Sequence, residues 1–203
     1  DFTVMGGSIG LGTTAKRQRR AELAAQERVP LVMLLEGAGE RTQNAFERRS
    51  RAPNDLQTLA HLSGLVPTIA VVMGPSAGHG ALTAPLMDFV VMVEGASLFS
   101  AGPPLVKEAT GEDVTKDDLG GTAVHTTVSG VAHNAAPADL DALDLVRRYL
   151  GYFPSSAWQF PPDLAGADDT APRDLDALTD LIPADPRRGY DVRGVVDLLA
   201  DRG

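Results

Sequence analysis

Apolar runs alternate with glycine turns and amphipathic stretches along the first two thirds of the chain. The opening "DFTVM" predicts a strand that leads into the turn Gly6-Gly7-Ser8-Ile9-Gly10. "TTAKRQRRAELAAQER", residues 13–28, is rich in helix formers, and Thr13 or Thr14 is its candidate N-cap. "VPLVMLLEGAGE", residues 29–40, is a continuous apolar run ending in glycines, the pattern of a strand buried on both faces. "NDLQTLAHLSGL" places Leu56, Leu59 and Leu62 on one helical face, with Gly64 as C-cap. "VPTIAVVMG" is a second buried strand and "DFVVMVEGASLFSAG", residues 88–102, a third. Repetition of strand, glycine turn, helix and strand predicts an α/β fold of βαβ units around a parallel sheet.

Beyond residue 134 the texture changes. "APADLDALDLVRRYLGYFP" predicts a helix with acids at its start, Arg147 and Arg148 in its last turn and Gly151 behind it. "QFPPDLAGADDTAP", residues 159–172, is rich in Pro, Asp and Gly and predicts a linker. "YDVRGVVDLLADRG" predicts a closing helix. A chain that opens in a strand and closes in a helix is expected to be a piece of something longer.

Composition narrows the function classes. The 203 residues suffice for one well-buried domain. The net charge of −9 argues against a nucleic-acid binder, which needs a basic face. No stretch has the length of a membrane span or the form of a signal peptide, and the absence of cysteine excludes disulfides, thiolate metal sites and cysteine nucleophiles. A cytoplasmic location is the expectation from the cysteine usage.

The stretch "MGPSAGHGALTAPLMDF", residues 73–89, offers two chemistries. Ser76, spelled Gly-Pro-Ser-Ala-Gly, could be a nucleophile on a strand-to-helix turn, with Asp88, His125 and His133 downstream as triad partners. Against this, Pro75 constrains a turn that must be sharp, and no oxyanion-forming His-Gly-Gly loop precedes it. Alternatively, the glycines act. Gly37-Ala38-Gly39 and Gly78-His79-Gly80 end two buried strands, and in a parallel sheet such ends lie on one side, where ligands bind. Backbone N–H groups from two turns can then meet at one developing oxyanion, such as the enolate of a thioester. The Gly7-Ser8-Ile9-Gly10 turn fails the dinucleotide spacing, His61 reads as structural, and Arg17, Arg19 and Arg20 read as a solvated helix face.

Taken together, several stretches make the chain similar to the carboxyltransferase (β) subunit of biotin-dependent acyl-CoA carboxylases. They are "DFTVMGGSIG", "EGAGERTQ" at 36–43, "GPSAGHGALTAPLMDF" at 74–89, "GPPLVKEATGEDVTKDDLGG" at 102–121, "HTTVSGVAH" at 125–133 and "LIPADPRRGYDVRGVV" at 181–196. The resemblance implies a crotonase-like fold of repeated ββα units. Residues 1–158 would form the N-terminal, acyl-CoA side, and 159–203 a linker to a C-terminal half that the sequence does not include. It implies transfer of a carboxyl group from carboxybiotin on a biotin carboxylase or carrier partner to an acyl-CoA, without a metal, in a homo- or hetero-hexamer. The thioester oxygen would be held by backbone N–H groups of Gly39, Glu40, Gly78 and His79. Gly6, Gly7, Ser8, Arg41, Gly80, Gly102 and Pro103 would bind substrate. Biotin must come from the partner, because Lys16, Lys107 and Lys116 are the only lysines and none lies in a biotin-attachment context. Ser76 takes the place of a family cysteine that is not a nucleophile, which leaves it a packing role.

Two positions depart from the family pattern. Glu40 replaces a small residue in the first turn and is expected to point away or pair with Arg41. His79 replaces a glycine, adding a Cβ where the backbone could need unusual dihedrals and a ring that could reshape the acyl pocket. These departures carry the alternative of a catalytically impaired paralogous β subunit with an assembly role.

Overall fold

The computed structural model describes residues 2–46, 54–161 and 175–200. The chain divides into two compact units, Asp1–Pro162 and Asp163–Gly203. In the first unit α1 (Leu11–Glu27) precedes β1 (Leu31–Gly37), and α2 (Asp55–Ala60) precedes β2 (Thr68–Ala77). Then follow α3 (Gly78–Ala81), β3 (Phe89–Val93), β4 (Ser97–Phe99), α4 (Pro103–Thr110), α5 (Lys116–Gly120), α6 (Thr122–Thr127), β5 (Asn134–Ala136) and α7 (Asp139–Leu150). The second unit holds α8 (Ala177–Leu181) and α9 (Val192–Leu199). The predicted linker at 159–172 falls largely on 162–174, outside the described residues.

The five strands form one sheet in the order β1-β2-β3-β5, all pairs parallel, with β4 attached to β2. β2 changes its neighbour part-way along. Ile69 to Val72 pair with Phe89 to Met92 of β3, whereas Pro75 to Ala77 pair with Ser97 to Phe99 of β4. The long apolar run predicted as a third strand is therefore two short ones, because Gly95, at φ +80°, turns the chain away between them.

The apolar runs became strands, but only the central ones are covered on both faces. β1, expected to be buried on both, ends the strand order, pairs only with β2 among the described residues and leaves Leu34 57% exposed. Ile69, Ala70, Val71 and Val72 of β2 and Val91 and Met92 of β3 are fully buried. α1 packs on α2, and α7 lies against β2, β3 and β5. Leu59 and Leu62 enter the core as the periodicity predicted, while Leu56 is partly buried at its margin. Gly64 adopts φ +74° in the turn beyond α2, and the helix itself is capped by His61, which is exposed. α7 spans the predicted helix with Gly151 as its C-cap.

Two sequence expectations fail near the N-terminus. Phe2–Met5 form turns rather than a strand, because Met5, Gly6 and Gly7 all adopt left-handed φ, which no extended segment accommodates. Only Ile9 reaches the extended core, as an isolated parallel bridge to Glu40. α1 starts at Leu11 with Gly10 as its N-cap, earlier than Thr13 or Thr14. Thr14 is instead buried inside the helix, its hydroxyl turned back to the Gly10 carbonyl at 3.4 Å.

A polar link ties the sheet start to β3. The Asp88 carboxylate accepts from both the N–H and the hydroxyl of Thr68, each at 2.8 Å, and the Asp88 N–H donates back to that hydroxyl at 3.1 Å. Thr68→Val keeps the shape and both backbone bonds, the Asp88 N–H still donating to the Thr68 carbonyl at 3.0 Å, but takes the hydroxyl donor away from the carboxylate. It is expected to cost about 1–3 kcal/mol in a denaturation experiment.

Next to this link, Tyr149 stacks on Phe89 with ring centroids 4.3 Å apart. Burial, and then the Asp88 carboxylate, push the Tyr149 hydroxyl above its ordinary value of 10.0. The folded protein therefore holds this proton more tightly than the unfolded chain. The stability it contributes is complete below about pH 10 and is lost as pH rises through the raised value. Tyr149→Phe should flatten that alkaline loss in unfolding curves taken across the range; an unchanged slope would remove Tyr149 as its source.

Candidate functional site

The site grows from the ends of β1 and β2. Gly37, at the end of β1, pairs with Ser76, near the end of β2, after a register shift beyond the Leu35 and Val72 pair. Past these residues each strand enters its glycine turn. Gly39 has φ +89° and Gly78 has φ +57°, conformations that favour glycine. The two turns meet backbone to backbone. A Cβ added to Gly39 would lie 3.0 Å from the Ala77 carbonyl oxygen and 3.4 Å from Gly78 Cα, and one on Gly78 would lie 3.5 Å from Gly39 Cα.

Hydrogen bonds fix the first turn. Ala38 N–H donates to the Gly6 carbonyl at 3.0 Å, Ile9 N–H to the Gly39 carbonyl at 2.7 Å, and Arg41 N–H to the Ile9 carbonyl at 2.9 Å. Glu40 stands between the last two bonds, so its own N–H takes no part in the bridge. The N–H groups of Gly78 and His79 open α3, where a helix has no acceptor of its own for them. Gly7 completes the frame: its Cβ would lie 2.7 Å from Gly37 Cα.

A cavity of about 250 Å³ opens at this junction, lined among others by Gly7, Ile9, Arg17, Gly37, Gly39, Ser76 and Gly80. A second cleft of about 580 Å³ lies at the start of α1 and takes in Arg41, Gly10, Lys16 and Asn44. Arg41 Nε donates to the Ser8 hydroxyl at 3.0 Å, and that hydroxyl donates to the Met5 carbonyl at 2.8 Å.

Of the residues singled out from sequence, Gly39 and Gly78 are thus in contact, with Glu40 and His79 beside them and Gly7 and Gly80 on the cavity wall. Gly6 lies beneath Ala38, its Cβ position 3.8 Å from the Ala38 Cβ. Ser8 and Arg41 form a hydrogen-bonded pair beside the second cleft. Gly102 and Pro103 open α4 and do not line either cavity, although the Ser100 carbonyl borders Gly78 at 3.9 Å from its Cβ position.

Glu40 is exposed and accepts from Asn44 Nδ2 at 3.0 Å, so it points away but does not pair with Arg41, which is occupied by Ser8. His79 is an ordinary helical residue, and the positive φ falls on Gly78 alone in that turn. Ser76 lies inside β2, 1% exposed, and its hydroxyl has no partner among the described residues. His125 spends its ring on the Leu98 carbonyl at 2.7 Å and on Ser129 at 2.8 Å, and His133 Nδ1 accepts from the Val90 N–H at 3.0 Å. Neither histidine is bonded to Ser76.

The sequence reading missed a buried polar cluster behind the second turn. Asp55 is fully buried. Its Oδ2 takes Arg17 Nε at 2.5 Å, its Oδ1 lies 2.7 Å from His79 Nε2, and Arg17 Nη2 reaches the Thr83 hydroxyl at 2.5 Å. Arg17 is therefore not part of a solvated face: its side chain is 13% exposed. Among the described residues no group of three or more His, Asp or Glu is placed to hold a metal ion.

A parallel sheet whose strand ends meet in facing glycine turns places this site in an α/β fold. The solved structures that the chain matches are carboxyltransferase domains of crotonase-like fold. Comparison with known proteins then fixes the family. The carboxyl transferase domain matches residues 1–203. The chain is 37% identical over 204 residues to the propionyl-CoA carboxylase carboxyltransferase subunit of Haloferax mediterranei, covering all of this chain and 39% of that protein. It is 36% identical over 204 residues to the methylmalonyl-CoA decarboxylase subunit alpha of Veillonella parvula, covering all of this chain and 40% of that protein. Among solved structures it superposes on the hexameric transcarboxylase 12S, bound to methylmalonyl-CoA, with a TM-score of 0.78 and 33% identity, over 99% of this chain and 39% of that one. The chain belongs to the carboxyl transferase domain family. It spans about 40% of the length of these relatives.

Proposed function

We propose that this chain is the acyl-CoA side of a carboxyltransferase, which holds the thioester while its α-carbon, or a vinylogous γ-carbon, receives a carboxyl group. The observation that carries this reading is the contact of Gly39 with Gly78. It sets two separate turns side by side, which supports a site where backbone N–H groups from both act on a single oxyanion. Loss of the α-proton puts negative charge on the thioester oxygen, and the Gly39-Glu40 and Gly78-His79 backbone donates to it. The enolate carbon then forms its bond to CO₂. The CO₂ comes from cleavage of the N–C bond of carboxybiotin, a substrate delivered on a partner subunit. The ureido nitrogen freed by that cleavage takes the proton lost from the ester. The outward turn of Glu40 supports the same reading, because its carboxylate is directed to Asn44 rather than at the developing charge.

Residues 1–158 supply the acyl-CoA side, and 159–203 connect to the carboxybiotin side, in a homo- or hetero-hexamer of β subunits. The relatives' names make propionyl-CoA the first carboxyl acceptor to try, methylmalonyl-CoA being its carboxylated form.

The test is the complete protein with a biotin carboxylase partner, ATP and labelled bicarbonate, across a panel of acyl-CoA esters. Acid-stable label in an ester is the expected result. No label above background, with the partner's biotin shown to be carboxylated, would overturn it in favour of an impaired, assembly-only subunit.

A further inference from the structure

We propose that Asp55 and His79 form a clamp that fixes the second glycine turn, which makes both of them positioning residues for the oxyanion hole. α3 contains four residues, too few to hold a helical shape alone. Its place is set by contacts from elsewhere, and two of these trace back to one carboxylate. Asp55 Oδ1 bonds the His79 ring directly at 2.7 Å. Asp55 Oδ2 holds Arg17, whose guanidinium extends to the Thr83 hydroxyl.

His79 is the second residue of α3, and Thr83 lies two residues beyond its last residue, Ala81. A single buried acid at the start of α2 therefore holds the short helix at His79 directly and, through Arg17, the chain just past its end at Thr83. Both acid oxygens are engaged in charge-assisted bonds, and Asp55 is wholly screened from water, which makes the grip stiff. Neither Asp55 nor His79 lines the cavity at the glycine turns. Their effect reaches the reaction through the backbone, because Gly78 directly precedes His79. A displacement of its N–H by about 1 Å is enough to cost about 100-fold in rate.

The activity arm of this inference rests on the carboxyltransferase reading, so the experiment carries a second arm that does not. In the complete, assembled protein, His79→Ala removes the bond to Asp55. His79→Gln restores it, since the amide nitrogen of glutamine reaches about as far as Nε2. His79→Ala is expected to lower kcat about 10- to 100-fold with KM for the ester within about threefold, and His79→Gln to recover most of the loss. Amide exchange in the segment 77–83 should accelerate in His79→Ala and return toward the wild type in His79→Gln.

Full turnover in His79→Ala overturns the clamp, as does a loss that glutamine does not repair. If the unaltered protein carboxylates no ester, the reaction reading fails. The clamp is then judged on exchange alone, and unchanged exchange in His79→Ala overturns it.

Discussion

Gly78→Val in the assembled protein is expected to cut the rate of carboxyl transfer by about 100- to 1000-fold, the usual consequence of losing one oxyanion donor. Two physical effects combine. At φ +57° a β-branched residue is a steric outlier, so the turn must rotate to accept it and its N–H rotates too. The added bulk also falls beside the facing turn. The Cβ would stand at ordinary contact distance, 3.5 Å, from Gly39 Cα, so the two methyl groups beyond it are expected to crowd the contact between the turns. Because the donors act on charge that appears only in the transition state, kcat should fall while KM changes little. The assay is steady-state carboxylation of the preferred ester, with thermal melting and assembly state checked alongside. Unchanged turnover in a folded, assembled variant would remove the backbone donors from the mechanism.

Asp55→Ala is expected to lower stability by about 3–5 kcal/mol, the range found when one partner of a buried ion pair is removed. The carboxylate is fully buried, and each oxygen has its own partner. Deleting it leaves the Arg17 guanidinium, only 13% exposed, with no counter-charge among the contacts described and Thr83 as its remaining partner. Chemical denaturation of variant and wild type side by side reads the difference. A loss under about 1 kcal/mol would mean that water replaces the carboxylate freely, as it does at surface ion pairs.

Much of the sheet was legible because burial on both faces writes itself as an unbroken apolar run, as in β2. The similar run of β1 marked a strand but overstated its burial, since Leu34 is exposed. The glycine turns were legible too: spacing placed Gly37, Gly39 and Gly78 at strand ends, and parallel pairing requires such ends to share a side. What escaped depends on contacts that local pattern does not encode. "FTVM" has the composition of a strand, but the left-handed residues after it turn the chain aside. The long run at 88–102 carried no mark showing that its two ends serve different stretches of β2. Arg17 sits beside Arg19 and Arg20 and reads like them as a surface charge. Its partner Asp55 is 38 residues away, and His79 a further 24 from that acid. A buried charge and a solvated one are spelled alike in sequence; only the fold separates them.

The change of neighbour along β2 gives this domain a division of labour with respect to mutation. From Thr68 to Val72 every residue is sealed, and from Met73 onward sealed and partly open positions alternate. The first half is committed to the core through β3, and the second carries the reacting end beside β4. New specificities can therefore arise by drift in the second half and its turns without disturbing the first. One strand serves both as foundation and as workbench.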